Sequence, residues 1–120
     1  MLDSAYLSTR EKVSLQEFID RILHKFKDKI VLIRLYGSKA RGDFYKESDI
    51  DLLIVLKEKD KAVEDLIVEA EWEIMDKHDS YICSVVFDLN EYNRLNNLQT
   101  NFMLNVAEEG INLYGNQTQP

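Results

Sequence analysis

Leu35-Tyr36-Gly37-Ser38-Lys39-Ala40-Arg41-Gly42-Asp43 is followed closely by Ser48-Asp49-Ile50-Asp51-Leu52-Leu53-Ile54-Val55. No other feature of the chain constrains its fold as tightly. The first run reads as the end of a strand over 30–36, a glycine turn and a short helix over 38–42. The second reads as a strand over 49–56 that is apolar almost throughout, the pattern of a strand buried on both faces. Glycine lets the backbone approach a ligand closely, and a helix start offers N–H groups to anions. Side chains two apart on a strand share a face, with Cα atoms about 6–7 Å apart. Asp49 and Asp51 therefore form a carboxylate pair beside a candidate phosphate cradle at Gly37 and Ser38.

Such a pair suits Mg²⁺, a hard ion that takes carboxylate oxygens together with the oxygens of a bound phosphate. Phosphate donors on one side and a metal pair on the other are the components of nucleotidyl transfer. The bland alternatives are solvated carboxylates at a strand start and an ordinary helix cap at Ser38. Lys39 and Arg41 lie on the short helix next to the cradle. Arg41 is a candidate phosphate or partner contact, whereas a solvated face accounts for Lys39.

Gly37-Ser38, ten intervening residues and Asp49-Ile50-Asp51 resemble the signature of the DNA polymerase beta-like nucleotidyltransferase superfamily. The fuller strings resemble its minimal nucleotidyltransferase branch. The segment 105–114 is similar to that branch's closing helix and glycine, so the likeness covers about residues 14–115. It implies a Mg²⁺-dependent enzyme using ATP, with Asp49 and Asp51 as catalytic metal ligands and Gly37, Ser38 and Arg41 at the nucleotide. It also implies a partner, since this branch pairs with small helical HEPN proteins in toxin–antitoxin modules. The function so implied is transfer of AMP from ATP to a hydroxyl of that partner. Two alternatives stand beside it: a catalytically weak or inactive nucleotide-binding module that neutralises its partner by contact, and a transferase acting on a small molecule of the aminoglycoside type.

One departure from the family pattern matters. The family supplies a third carboxylate early on the strand parallel to the Asp-x-Asp strand. Here Tyr81-Ile82-Cys83-Ser84-Val85 holds no acid, and Ser84 or a neighbour takes the slot. Asp88 ends that strand, about 20 Å from Asp49 by strand rise, and reads as a helix N-cap instead. Asp79 lies just ahead of the strand, in a loop.

The expected fold is α/β (α+β), a small mixed sheet of about three to four strands packed by helices. At 120 residues the expectation is one domain, 1–120, with a core over about 14–115 and a frayed tail over 116–120. Ser14-Leu15-Gln16-Glu17 reads as a capping box opening a helix over about 15–28, with Val13 stapled to Phe18. Leu15, Phe18, Ile19, Ile22, Leu23 and Phe26 recur at helical spacing. A second helix over 61–78 carries Val63, Leu66, Ile67, Ala70 and Ile74. A strand over 81–87 and helices over about 90–96 and 100–109 follow, with Gly110 as a left-handed helix end. The crossover helix makes the strands at 49–56 and 81–87 parallel.

The net charge of −7 argues against a nucleic-acid partner, which needs a basic face. No apolar run approaches the about 20 residues of a bilayer span, and the N-terminus does not read as a signal peptide. With Cys83 as the one cysteine, a disulfide framework is excluded. These features point to the cytoplasm. Cys83 reads as a buried, inert thiol, Trp72 as core or interface, and His24 and His78 as helix-surface residues without a role.

Overall fold

The first helix opens at Ser8, whose side chain accepts a hydrogen bond from the Glu11 amide while the Glu11 carboxylate accepts one from the Ser8 amide. In this computed structural model, which describes residues 6–42 and 49–115, that box begins α1 at Thr9–Phe26. The expectation of a start at Ser14 is corrected. Ser14 sits inside the helix, buried, with its hydroxyl 2.8 Å from the Arg10 carbonyl oxygen and 2.9 Å from Ser80 Oγ. Val13 is exposed and staples nothing. The apolar stripe is as read, with Leu15, Phe18, Ile19 and Ile22 buried.

A short 3₁₀ turn at Lys27–Lys29 leads into β1 at Ile30–Tyr36, followed by α2 at Ser38–Arg41. The polar loop over 43–48 and both termini, including the expected tail, lie outside the described residues. Next come β2 at Ile50–Leu56, α3 at Lys61–His78 and β3 at Ile82–Asp88. Asp60 caps α3 by accepting from the Ala62 and Val63 amides. Asp88 caps α4 at Leu89–Leu98 in a second reciprocal box with Glu91, matching its reading as an N-cap. Asp79 is the left-handed residue that ends α3, with φ of 54°.

After α5 at Asn101–Glu109 the chain forms β4 at Ile111–Gly115. Gly110 has φ of −69° and ψ of 154°, so the expected left-handed end is corrected. The chain must leave α5 extended to enter β4, and the helix end is held in another way. Buried Arg34 of β1 donates from Nε to the Val106 carbonyl oxygen at 3.0 Å. Its Nη2 donates to the carbonyl oxygens of Ala107 at 3.1 Å and Gly110 at 3.0 Å. A guanidinium supplies several fixed donors to carbonyls clustered at a helix end.

The four strands form one mixed sheet in the order β3-β2-β1-β4. β1 is antiparallel to β2 and β4, and β2 is parallel to β3, as the crossover requires. One face carries Ile50, Leu52, Ile54 and Leu56 against α1 and α3. The other carries Leu32, Leu53 and Val55 against Tyr92 of α4 and Met103 and Val106 of α5. Both faces of the central strands are covered, which is why β2 is apolar along its length. No helix among the described residues is long and apolar enough to cross a membrane.

Candidate active site

Gly37 follows the last residue of β1 with φ of 79° and ψ of −159°, a conformation that only glycine adopts readily. It starts α2: the Ala40 and Arg41 amides donate to its carbonyl oxygen at 3.0 and 3.1 Å. Intrahelical pairing thus begins at Ala40, and the amides of Gly37, Ser38 and Lys39 are the helix-start donors. Ser38, read as a cap, is the first helical residue, and Gly37 is the cap itself.

Asp51 lies directly across the sheet from Tyr36. Gly37 is packed so closely on it that a Cβ there would stand 2.6 Å from Asp51 Oδ2. The cradle and the carboxylate are therefore in contact, although fourteen sequence positions separate them. Asp51 is half-buried and Asp49 exposed. Burial, and next the charge of Asp49, push the Asp51 carboxyl above its ordinary range, while Arg41 pulls it back. Burial and the Asp51 charge push the Tyr36 phenol up to about 12, so it stays neutral. Two carboxylates held close against their own repulsion are the arrangement that a divalent cation relieves. The carboxylate oxygens of Asp49 and Asp51 are the donor set that a hard cation takes, and these two residues would hold it.

Lys39 and Arg41 diverge. Lys39 is 1% exposed, its ammonium 2.8 Å from the Glu11 carboxylate of α1, so the expectation of a solvated face is corrected. The aliphatic stem fills the gap between α2 and α1, and the buried charge is paired. Arg41 faces outward, with Nη1 3.1 Å from Glu109 Oε2 at the end of α5, on the rim of the Gly37–Asp51 pair.

The strand parallel to β2 bears no acid beside Asp51. The residue in register with Asp51 is Cys83, and Ser84 pairs with Leu52 on the opposite face. The open slot in the sequence is thus occupied by Cys83, the neighbour of Ser84. Its thiol is exposed rather than buried, which corrects the expectation of a core cysteine. Burial and the charges of Asp51, Glu71 and Asp49 raise its pKa, so it stays a thiol. Among the described residues no cluster of three or more His, Cys, Asp or Glu side chains is arranged to hold a metal.

Sequence reasoning missed Glu71. It lies on α3, yet its Oε2 accepts from the Ser84 amide of β3 at 2.9 Å. The Ser84 hydroxyl is buried without a well-formed hydrogen bond. Burial pushes the Glu71 carboxyl up, against the pull of Ser84. Glu71 and Asp49 line one cavity of about 240 Å³ with Trp72, Met75, Tyr81 and Ile82. Only a helix-to-edge contact reveals this, since α3 shows no motif at position 71.

Comparison with known proteins places the chain in a family. The family model of polymerase beta nucleotidyltransferases matches residues 17–119. A protein of Methanocaldococcus jannaschii, named a candidate protein adenylyltransferase, is 33% identical over 104 residues, spanning 87% of this chain and 98% of its own. The crystal structure of a candidate nucleotidyltransferase from Sulfolobus solfataricus shares the fold with a TM-score of 0.51 and 19% identity, over 88% of this chain and 81% of that one. So does a toxin–antitoxin crystal structure with AMP-PNP, at a TM-score of 0.52 and 24% identity, over 85% of this chain and 74% of that one. With the Gly37–Asp51 contact at its centre, this chain belongs to the polymerase beta-type nucleotidyltransferase family.

Proposed function

We propose that this chain transfers AMP from ATP to a hydroxyl of a partner protein, as the antitoxin of a pair whose other member is a helical HEPN protein. The observation that carries the reading is the contact between Gly37 and Asp51, which sets phosphate donors against a carboxylate pair. The 33% identical relative named a candidate protein adenylyltransferase supports the reaction. The toxin–antitoxin structure with AMP-PNP supports it only through the shared fold. Asp49 and Asp51 would hold Mg²⁺, which when bound screens the triphosphate and makes the α-phosphorus more electrophilic. Gly37 and Ser38 bind the β- and γ-phosphates through their amides and the Ser38 hydroxyl. Arg41, on the rim, contacts phosphate or partner. ATP, Mg²⁺ and a single exposed thiol all suit the cytoplasm.

A second reading keeps the partner and drops the turnover. It is favoured by Cys83 standing in register with Asp51 where the family places a carboxylate. Incubating the chain with ATP, Mg²⁺ and the protein encoded beside its gene separates the two. A partner heavier by an adenylyl group supports transfer, and Asp49→Ala should abolish that mass. A complex without mass change selects the contact-only module. Transfer to a small molecule with no complex formed overturns both.

A further inference from the structure

We infer that the cavity between α3 and the start of β3 is the acceptor subsite, that it takes an aromatic hydroxyl such as a tyrosine side chain, and that Glu71 receives the hydroxyl proton. The inference rests on the nucleotide reading above and adds where the second substrate binds. Displacement at phosphorus runs in line, so the attacking oxygen and the leaving pyrophosphate stand on opposite sides of the α-phosphorus. The strand order is β3-β2-β1, with the phosphate cradle at the end of β1 and the carboxylate pair on β2. The acceptor must then approach from the β3 side.

The cavity lies there. Asp49 forms one wall, and Glu71, Trp72 and Met75 of α3 face it together with Tyr81 and Ile82. Two of its lining residues are exposed aromatics, Trp72 at 63% and Tyr81 at 51%. Flat rings and a thioether suit an aromatic guest, which can stack or lie edge-on against them. The charged groups on its wall are the carboxylates of Asp49 and Glu71, which accept a hydrogen bond from a hydroxyl and repel an anion. That chemistry disfavours a second phosphate group and favours a phenol.

β3 is the edge of the sheet, and the Ile50 amide donates to the Tyr81 carbonyl oxygen. By the alternation of parallel pairing, the Ser84 amide therefore points away from β2. Glu71 takes that amide with Oε2, which fixes its carboxylate at the mouth of the cavity. In the transfer, the tyrosyl oxygen forms a bond to the α-phosphorus. The bond from that phosphorus to the α,β-bridging oxygen breaks, its electron pair leaving on pyrophosphate. The hydroxyl proton passes to the Glu71 carboxylate, the role that no strand carboxylate fills in this chain.

Trp72 is the chain's one tryptophan, so its emission reports on this cavity alone. The probe is N-acetyl-L-tyrosinamide, added to the full chain with Mg²⁺ and AMP-PNP. A saturable change in Trp72 emission is expected, weakened at least tenfold in Tyr81→Ala. With radiolabelled ATP, Glu71→Gln should slow adenylylation of the probe at least a hundredfold and leave Mg²⁺–AMP-PNP affinity within twofold, with partial rescue by Glu71→Asp. Glutamine still accepts from Ser84, so the edge contact survives the change. Three results would overturn the inference: no emission change with the probe, a Glu71→Gln rate within threefold of the parent, or emission that answers to Mg²⁺–AMP-PNP instead. If the parent binds Mg²⁺–AMP-PNP but not the probe, the acceptor site falls and the nucleotide reading stands. If the parent binds no Mg²⁺–AMP-PNP, the nucleotide reading fails first.

Discussion

Gly37 packs on Asp51 with no room for a methyl group: a Cβ would stand 2.6 Å from Oδ2. Gly37→Ala should therefore displace the carboxylate and strain the turn, whose φ is 79°. The backbone strain alone is about 1–3 kcal/mol. Calorimetry with ATP and Mg²⁺ should show affinity reduced at least tenfold, about 1.4 kcal/mol, with the far-ultraviolet circular dichroism of the parent. Parental affinity would remove Gly37 from the site.

Burial and the nearby charge of Asp49 both disfavour the charged form of Asp51. Asp51→Asn removes both penalties, so the variant should melt at a higher temperature than the parent while losing at least tenfold in Mg²⁺-dependent ATP affinity. That trade of stability for binding is common where a site stores strain. A lower melting temperature would show that Asp51 is mainly structural. Asp49→Asn combined with it should weaken binding further.

Arg34 should be costly to remove. Arg34→Met keeps an apolar stem but leaves the Val106, Ala107 and Gly110 carbonyls without these donors. Urea unfolding should show a loss of about 2–4 kcal/mol. Gly110→Ala attacks the same junction from the other side, because its Cβ would collide with Arg34 Nε and the Val106 carbonyl oxygen.

For Asp88, at the far end of β3, the expected damage is to the fold alone. Asp88→Ala should cost about 1 kcal/mol through the lost cap of α4 and leave any AMP transfer within a few-fold of the parent. A hundredfold loss of rate with the fold intact would place Asp88 in the chemistry.

Acid should loosen the α1–α3 contact through Glu17. Hydrogen bonds from Lys77 and His78, at 2.7 and 2.6 Å, hold its carboxyl below the ordinary value of 4.5. The unfolded chain then binds more protons than the folded one between the two pKa values. The stabilisation is present above the unfolded value and is lost as pH falls through the folded one. Glu17 is solvent-exposed enough that the effect is a few tenths of a kcal/mol. Parallel acid titrations of the parent and Glu17→Gln should converge once the pH falls below the folded-state pKa of Glu17, which lies under 4.5. Curves that stay apart there would exclude the charge as the cause.

The helix over 61–78 was legible to the residue, because Asp60 and Lys77 bracket a stripe that repeats at helical spacing. The strand at 49–56 was legible because burial on both faces leaves no polar residue after Asp51. The start of α1 was not. Ser8 and Ser14 each stand three residues ahead of a glutamate, so local chemistry ties, and a partner 66 positions away, Ser80, decides it by burying Ser14. Cys83 looked like core because β3 is apolar, yet β3 is an edge strand, and an edge cannot be told from a centre without the sheet order. Gly37, Ser38, Asp49 and Asp51 were candidates through their spacing together with the family resemblance, and the structure packs Gly37 against Asp51. Glu71 was invisible because it acts across the sheet edge, at a distance set by helix placement rather than by sequence interval.

The Arg34 clamp holds α5 through peptide carbonyls, at Val106, Ala107 and Gly110. Every residue type there carries the same carbonyl, so the grip is blind to side-chain identity except at Gly110. The outward positions of α5, Asn101, Leu104, Asn105 and Glu108 among them, can therefore be rewritten without loosening the helix. A lineage could rewrite that surface one substitution at a time, with the scaffold indifferent to each.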